Sequence, residues 1–303
     1  MSEKASTDDT DELSPSEQRR AVRERYGDVA EEESRGDRTA GGGCCGGGTD
    51  AETRDAGDGA TDSSCCGASG TTDAAERARD IGYSDDQLET VPDASNMGLS
   101  CGNPTAIASL EAGETVLDLG SGGGFDCFLA SDAVGPNGRV IGVDMTPEMV
   151  EKARENARDR GDDTVDFRLG EIEHLPVADE AVDVIISNCV LNLSPDKSQV
   201  FREAARVLRP GGRLAISDVV RTAELPEDLR IDPESVSACI GDAAPPTELE
   251  AMLGEAGFID VSIEPTDDDE FISEWHPERD PREYVASARI EARKPDGVGD
   301  ADG

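Results

Sequence analysis

Residues 116–124 read Val116-Leu117-Asp118-Leu119-Gly120-Ser121-Gly122-Gly123-Gly124, a short apolar run that ends in a glycine loop. The run has the length and composition of a buried strand, and the glycines let the backbone turn tightly beneath a ligand. A helix is expected to follow over 125–133. The same alternation continues along the chain. Strands are expected over 138–143, 165–169, 181–187 and 213–218, with helices opened by Thr146-Pro147 and Ser194-Pro195 and stopped by Gly161 and Pro210-Gly211-Gly212. A helix over 246–256 and strands over 259–263 and 284–292 complete the pattern. Strands alternating with amphipathic helices specify an α/β, doubly wound, mostly parallel sheet.

Three regions follow. Residues 1–73 read as an acidic arm, 74–294 as the folded domain, and 295–303 as a polar tail. Within the arm, Ser14-Pro15 with Glu17 predicts a short capped helix ending near Tyr26. Residues 40–73 are rich in Gly, Asp, Ser and Thr and carry too little apolar surface to order themselves. Their only interruptions are the vicinal pairs Cys44-Cys45 and Cys65-Cys66, which read either as redox thiols on a flexible arm or as incidental residues of a spacer.

Charge narrows the partners. The chain holds 68 acidic and 28 basic residues, a net charge of −40, and its lysines are Lys4, Lys152, Lys197 and Lys294 alone. Nucleic acid and anionic membrane are polyanions, so neither is expected as a partner. A folded chain this acidic suits a salt-rich cytoplasm, where the Debye length at molar salt is about 3 Å and self-repulsion is screened. No run of about 18 apolar residues is present, and the N-terminus lacks the apolar core of a secretion signal. A cytoplasmic location follows as the expectation. The eight cysteines are then expected as thiols at rest, serving as ligands or redox groups rather than bridges.

The glycine loop points to a particular cofactor. It breaks the dinucleotide fingerprint, whose last glycine would fall on Phe125 or Cys127. Asp118, inside the strand, disfavours a pyrophosphate but suits the amino group and sulfonium of S-adenosylmethionine. Asp144 ends the second strand, where a carboxylate can accept both ribose hydroxyls. Gly170-Glu171-Ile172-Glu173 follows the third, where a polar group can read the adenine. The expected cofactor residues are Asp118, Gly120, Ser121, Gly122, Asp144, Met145, Ile172, Glu173 and Asn188.

The substrate side lacks a base. His174 and His276, the two histidines, sit in polar or loop segments, so a substrate bringing its own lone pair is favoured. Three cysteines supply the alternative. Cys101 lies in a turn-rich loop before the first strand, Cys189 tops the fourth, and Cys239 lies between the fifth strand and the last helix. All three can reach the carboxyl rim of the sheet. Three thiolates around one soft centre suit trivalent arsenic, which takes three ligands and keeps a lone pair. Each alone could equally be a small buried core residue, and Cys127, on the inner side of the first helix, is read so.

Residues from about 81 to 294 resemble the arsenite methyltransferases that use S-adenosylmethionine, members of the class I methyltransferase superfamily with its Rossmann-like sheet. The matching segments are 98–104, 116–127, 140–149, 170–176, 186–196 and 209–219, and Ser187-Asn188-Cys189-Val190-Leu191-Asn192-Leu193 is the most specific. The resemblance implies arsenic(III) bound by Cys101, Cys189 and Cys239, and a further N-terminal cysteine in thiol exchange. Cys44, Cys45, Cys65 and Cys66 are all candidates for that role. Asp242 departs from the family pattern, which has a glycine there, and leaves the Cys239 loop the least defined of the three.

The resulting expectation is in-line transfer of a methyl group to thiol-bound arsenite, detoxifying arsenic, with thioredoxin or a small thiol as reductant. Two other readings use the same residues: a methyltransferase acting on a small quinone-like acceptor, and a non-enzymatic protein holding a metalloid through its thiols.

Overall fold

A computed structural model describes residues 14–40, 70–227, 229, 239–266, 272–273 and 279–297, with side chains over 14–31 and from 74 onward. The strands are β1 (Thr115–Leu119), β2 (Arg139–Asp144), β3 (Val165–Leu169), β4 (Val182–Asn188), β5 (Leu208–Arg221), β6 (Ile259–Pro265) and β7 (Val285–Arg293). They form one sheet in the order β3-β2-β1-β4-β5-β7-β6. Neighbours from β3 to β5 pair in parallel, and β7 runs antiparallel to both β5 and β6. The doubly wound, mostly parallel sheet expected from the sequence is therefore present. Its fifth strand is longer than 213–218, because β7 continues to pair with β5 from Arg213 to Arg221.

The helices are α1 (Pro15–Ala40), α2 (Gly70–Asp80), α3 (Asp85–Thr90), α4 (Pro104–Ala108), α5 (Phe125–Val134), α6 (Pro147–Arg160), α7 (Lys197–Val207) and α8 (Pro246–Glu255). Strand alternation sorts the core into two layers. Leu117, Leu119, Ile141 and Ile185 pack with Val200, Phe201 and Ala204 of α7 and Leu249 and Leu253 of α8. On the other face Val116, Val140 and Val184 pack with Phe125 and Phe128 of α5 and Val150 and Ala153 of α6. β4 sits beside β1 rather than beside β3, so the chain reverses its direction of travel across the sheet between β1 and β4. Such a switch point opens a crevice at the carboxyl ends of the strands.

The N-terminal region departs from expectation. Ser14 and Glu17 close the capping box as read, the Ser14 amide donating to Glu17 Oε2 at 3.0 Å. The helix then runs past Tyr26 to Ala40. Val22 and Ala30 are buried, and α1 lies against α6. Residues 15–31 of the expected arm thus pack on the domain, because one face of this part of α1 carries apolar residues that the domain covers. Cys44, Cys45, Cys65 and Cys66 lie outside the described residues.

Candidate functional site

A cavity of about 120 Å³ opens at the β1–β4 switch point. All nine residues expected to bind the cofactor line it: Asp118, Gly120, Ser121 and Gly122 from β1 and its loop, Asp144 and Met145 from the end of β2, Ile172 and Glu173 after β3, and Asn188 at the end of β4. Gly120 has a φ of 70°, and a Cβ there would collide with the Val190 side chain. Glycine is required by conformation and by space together. Gly122 N donates to Asp144 Oδ2 at 3.0 Å, and Thr146 N to Asp144 Oδ1 at 2.8 Å. The second acid is thereby fixed by backbone amides, with further lone pairs left for a ligand.

Electrostatics at the floor of the cavity follow from burial. Asp118 is 3% exposed, and desolvation, with Asp126 nearby, pushes its carboxyl well above the usual range. Cys127 Sγ donates to Asp118 Oδ2 at 3.2 Å, so Cys127 is more than a core filler: it fixes the orientation of the acid. A cationic ligand group beside Asp118 would restore the carboxylate. Ser121 Oγ is buried without a hydrogen-bond partner among the described residues. Two acids, an unpartnered hydroxyl and a glycine loop that tolerates no side chain at Gly120 fit the amino-acid and ribose ends of S-adenosylmethionine. Glu173 is 3% exposed, accepts from Ser194 Oγ at 2.8 Å and pairs with Arg19 at 3.4 Å, so it is held rigid on the wall.

The three expected thiols come together behind this wall. Cys101, Cys189 and Cys239 share one buried cluster with Val22, Leu193 and Val219. Cys189 lines the cavity. Its Cα is 5.8 Å from that of Cys101, and the two sulfurs are joined as a disulfide. The expectation of thiols throughout is thus corrected for this pair: their loops meet at a separation a disulfide spans without backbone movement. Cys239 is free and donates its Sγ–H to Cys189 O at 3.1 Å. Burial, with Asp218 nearby, pushes the Cys239 thiol well above its usual range. Cys189 and Cys239 have φ of 53° and 65°, a left-handed backbone that non-glycine residues adopt only when surroundings impose it.

Around Cys101 and Cys189 lie two polar networks that sequence reasoning missed. Asn188, expected as a cofactor residue, also anchors the Cys101 loop: its Oδ1 accepts from Cys101 N at 3.0 Å and its Nδ2 donates to Gly102 O at 2.8 Å and Asp126 Oδ2 at 3.0 Å. Tyr83 donates to the other Asp126 oxygen at 2.7 Å. The second network centres on Asp218, fully buried at 0%. It accepts from Leu191 N at 2.8 Å, Asn192 Nδ2 at 2.9 Å and Val219 N at 2.8 Å, which pins the turn after Cys189. The Cys101 and Cys189 sulfurs and an Asp218 oxygen all lie within 4.8 Å of one another. Burial pushes the Asp218 pKa up to about 6. The available signal was a charged residue inside the apolar run 214–220, where only a satisfied or functional acid survives.

Asp242, the departure beside Cys239, ion-pairs with Lys197, one of the chain's few lysines and only 7% exposed. The Cys239 loop is therefore tethered to α7 by charge. From the N-terminal side, Arg19, Val22 and Tyr26 of α1 line the same cavity, and Arg23 pairs with Glu171 at 2.6 Å. His174 lies away from the cavity lining, and His276 lies outside the described residues.

A family model described as a methyltransferase domain matches residues 110–257. An arsenite methyltransferase of Halobacterium salinarum is 54% identical over 282 residues, covering 93% of this chain and 68% of that protein. The human arsenite methyltransferase is 42% identical over 152 residues, 47% of this chain and 40% of its own length. Among solved structures, an arsenic(III) S-adenosylmethionine methyltransferase from Chlamydomonas reinhardtii superposes with a TM-score of 0.55 at 34% identity, covering 75% of this chain and 74% of that one. The chain thus spans about two thirds of its Halobacterium relative and under half of the human one.

Proposed function

This chain belongs to the arsenite methyltransferase family, and on that premise we propose that it transfers a methyl group from S-adenosylmethionine to trivalent arsenic held by Cys101, Cys189 and Cys239. The observation that carries the reading is the gathering of three cysteines from separate segments beside the cavity lined by Asp118, Asp144 and the glycine loop. S-Adenosylmethionine, when bound, supplies an electrophilic methyl group on a positively charged sulfur. Asp118, Asp144 and the loop Gly120–Gly122 hold it, with Glu173 on the adenine side.

The thiol side does the rest. Arsenite exchanges its oxygens for sulfur as the cysteines bind as thiolates. Cys189, on the cavity wall, presents the arsenic lone pair to the methyl donor. Positioning of two reactants in attack geometry can supply about 7–11 kcal/mol of barrier lowering. No side-chain base is needed, because the nucleophile is a lone pair that arsenic already has. Val22, Tyr26 and Leu193 keep the approach apolar.

Binding of arsenic to all three cysteines requires the Cys101–Cys189 bond to be open, so an external reductant takes part: a small thiol or a thioredoxin-like protein. Methylation formally oxidises arsenic by two electrons, and thiols closing to a disulfide return them. Cys44, Cys45, Cys65 and Cys66 are proposed to join this exchange. Deleting residues 1–73 would not test that, because it removes Val22 and Tyr26 from the cavity wall; replacing the four cysteines by serine would. The acidic surface fits a salt-rich cytoplasm, and no described helix is long and apolar enough to cross a membrane.

Mass spectrometry of arsenic species formed from arsenite, S-adenosylmethionine and a thiol reductant tests the proposal. Methylarsenicals that depend on all three components are the expected product. Methyl transfer to organic acceptors with none to arsenite would overturn it.

A further inference from the structure

Val22, Tyr26, Met145, Cys189 and Leu193 line the cofactor cavity and also belong to, or pack against, the buried cluster that holds the three thiols. They mark the junction of the two halves of the site. A methyl group passing from the cofactor to arsenic on Cys189 crosses that junction, so the sulfonium has to stand beside it. No acid is among these residues, and Cys189 gives its thiolate to arsenic. A cation taken out of water needs an electron-rich partner. At this junction Tyr26 alone offers an aromatic face.

We propose that the ring of Tyr26 packs against the sulfonium of S-adenosylmethionine, and that this contact makes the site favour the charged methyl donor over its neutral product. The inference rests on the proposed methyl transfer and adds to it the residue that meets the charge on the reacting sulfur. Attraction between a cation and a ring face vanishes once the sulfur becomes a neutral thioether. Donor and product differ in this contact, so the ring discriminates between them and eases the departure of S-adenosylhomocysteine. Charge is already leaving sulfur in the transition state, so the contact tightens donor binding more than it speeds transfer.

The ring is held in position from several sides. α1 lies against α6 and against the turn Leu191–Leu193, and Gln18 Nε2 donates to Leu193 O at 3.4 Å. Val22, one turn before Tyr26 on the same helix face, is buried. Tyr26 therefore reaches the junction from a packed helix rather than from a loop. Burial raises the pKa of its hydroxyl, and Cys239, Asp144 and Asp218 add to the rise. Those neighbours place the ring between the acid at the end of β2 and the thiol site. A phenol kept neutral is no base, and what it offers the cofactor is its π face.

Phe125, a second ring on the cavity lining, does not compete for this role. It packs on the α5 side of the sheet, edge to face with Tyr83 and with the ring centroids 4.9 Å apart. It takes no part in the thiol cluster.

The test measures binding to the full-length protein without arsenic, by calorimetry at constant potassium chloride. S-Adenosylmethionine and S-adenosylhomocysteine are compared, with sinefungin, whose ammonium replaces the sulfonium, as a second cation. Tyr26→Leu is expected to weaken both cationic ligands about five- to thirtyfold and S-adenosylhomocysteine less than about twofold. Tyr26→Phe, which keeps the ring, should hold all three within about twofold. Fluorinated phenylalanines at position 26 preserve the ring while weakening its negative face, and so separate ring electrostatics from folding. Affinity for S-adenosylmethionine should fall stepwise with fluorination while that for S-adenosylhomocysteine holds. The proposal is overturned if Tyr26→Leu weakens all three ligands alike, if Tyr26→Phe loses as much as Tyr26→Leu, or if fluorination leaves the cationic ligands unchanged. An unaltered protein that binds no S-adenosylmethionine overturns this contact and the methyl-transfer reading together. The expected dependence on Tyr26 without any methylarsenical product supports the contact and overturns arsenic as the acceptor.

Discussion

Asp118, Asp144 and the glycine loop face the cavity from strand ends that neighbour one another in the sheet. Cys101, Cys189 and Cys239, separated by 88 and 50 residues in sequence, gather in one buried cluster beside it, and of the three Cys189 lines the cavity. The cofactor side is held largely by its own backbone: Gly122 and Thr146 amides fix Asp144, and Gly120 makes the turn. The thiol side is held from outside, by Asn188, Asp218 and the Lys197–Asp242 pair. A pre-formed cofactor pocket beside an imposed thiol site allows one half to be altered while the other is measured. The largest such effect is expected at Cys189. Cys189→Ser should lower arsenite methylation by at least about a hundredfold, as loss of a ligand exceeds loss of its supports. S-Adenosylmethionine affinity, read by calorimetry, should stay within about twofold, since the ligand removed is not the cofactor's. Equal losses in both readouts would erase the distinction between the halves.

The glycine loop touches the thiol half, and that contact gives the next effect. A side chain at Gly120 meets Val190, the residue after Cys189. Gly120→Ala adds both a collision and a left-handed strain, so a loss of about 3 kcal/mol in unfolding free energy is expected. Both cofactor binding and methylation should fall in this variant. Methylation falling with cofactor affinity intact would mean that Val190 yields and drags the Cys189 turn with it.

A third effect separates the halves by pH. Burial, outweighing the hydrogen bonds from Tyr83 and Asn188, pushes the Asp126 pKa up to about 6, from an ordinary 3.8. A carboxyl raised in the folded state stabilises the fold when protonated. That contribution is full below the unfolded value and disappears as pH rises through about 6. Asp126→Asn cannot ionise, so the loss of stability between about pH 4 and about pH 7 should shrink by on the order of 2–3 kcal/mol. Denaturant titrations at the two pH values measure it. An unchanged difference would mean that Asp126 is ionised throughout, its charge carried by Tyr83 and Asn188.

These contrasts explain what could be read without coordinates. The sheet was legible because period-two strands and 3.6-period helices alternate with clear stops, as in α7, where Val200, Phe201, Ala204 and Val207 all turn inward. The residues that line the cavity were legible because each lies at or near the carboxyl end of a strand, where topology sets position. The cysteines were found as a group by their chemistry, but their supports were not. Asn188 and Asp218 act through contacts 87 and 27 residues away in sequence, and no local pattern reports such distances. The bond between Cys101 and Cys189 was hidden for the same reason. Helix α1 was read too short: its apolar positions are sparse, and what keeps it helical past Tyr26 is the domain surface under Val22 and Ala30.

The smallest effect concerns the least regular of the three loops. Asp242 is 47% exposed and its partner Lys197 is 7% exposed, so the pair straddles the surface. Asp242→Ala removes the exposed partner, and Lys197 keeps the Ser194 carbonyl at 3.4 Å as an acceptor. The expected loss of stability is below about 1 kcal/mol, in the range of exposed ion pairs. The functional effect should still be one-sided. With its tether cut, the Cys239 loop samples more conformations, and the third sulfur meets arsenic less often. The KM for arsenite should rise about two- to fivefold while cofactor affinity and single-methyl-transfer rate at saturation hold. High potassium chloride should produce the same shift in the unaltered protein, because it screens the half-exposed pair. A change in cofactor affinity instead would place Asp242 on the wrong side of the comparison, and would mean that the charge of α7 reaches across β4 to the methyl donor.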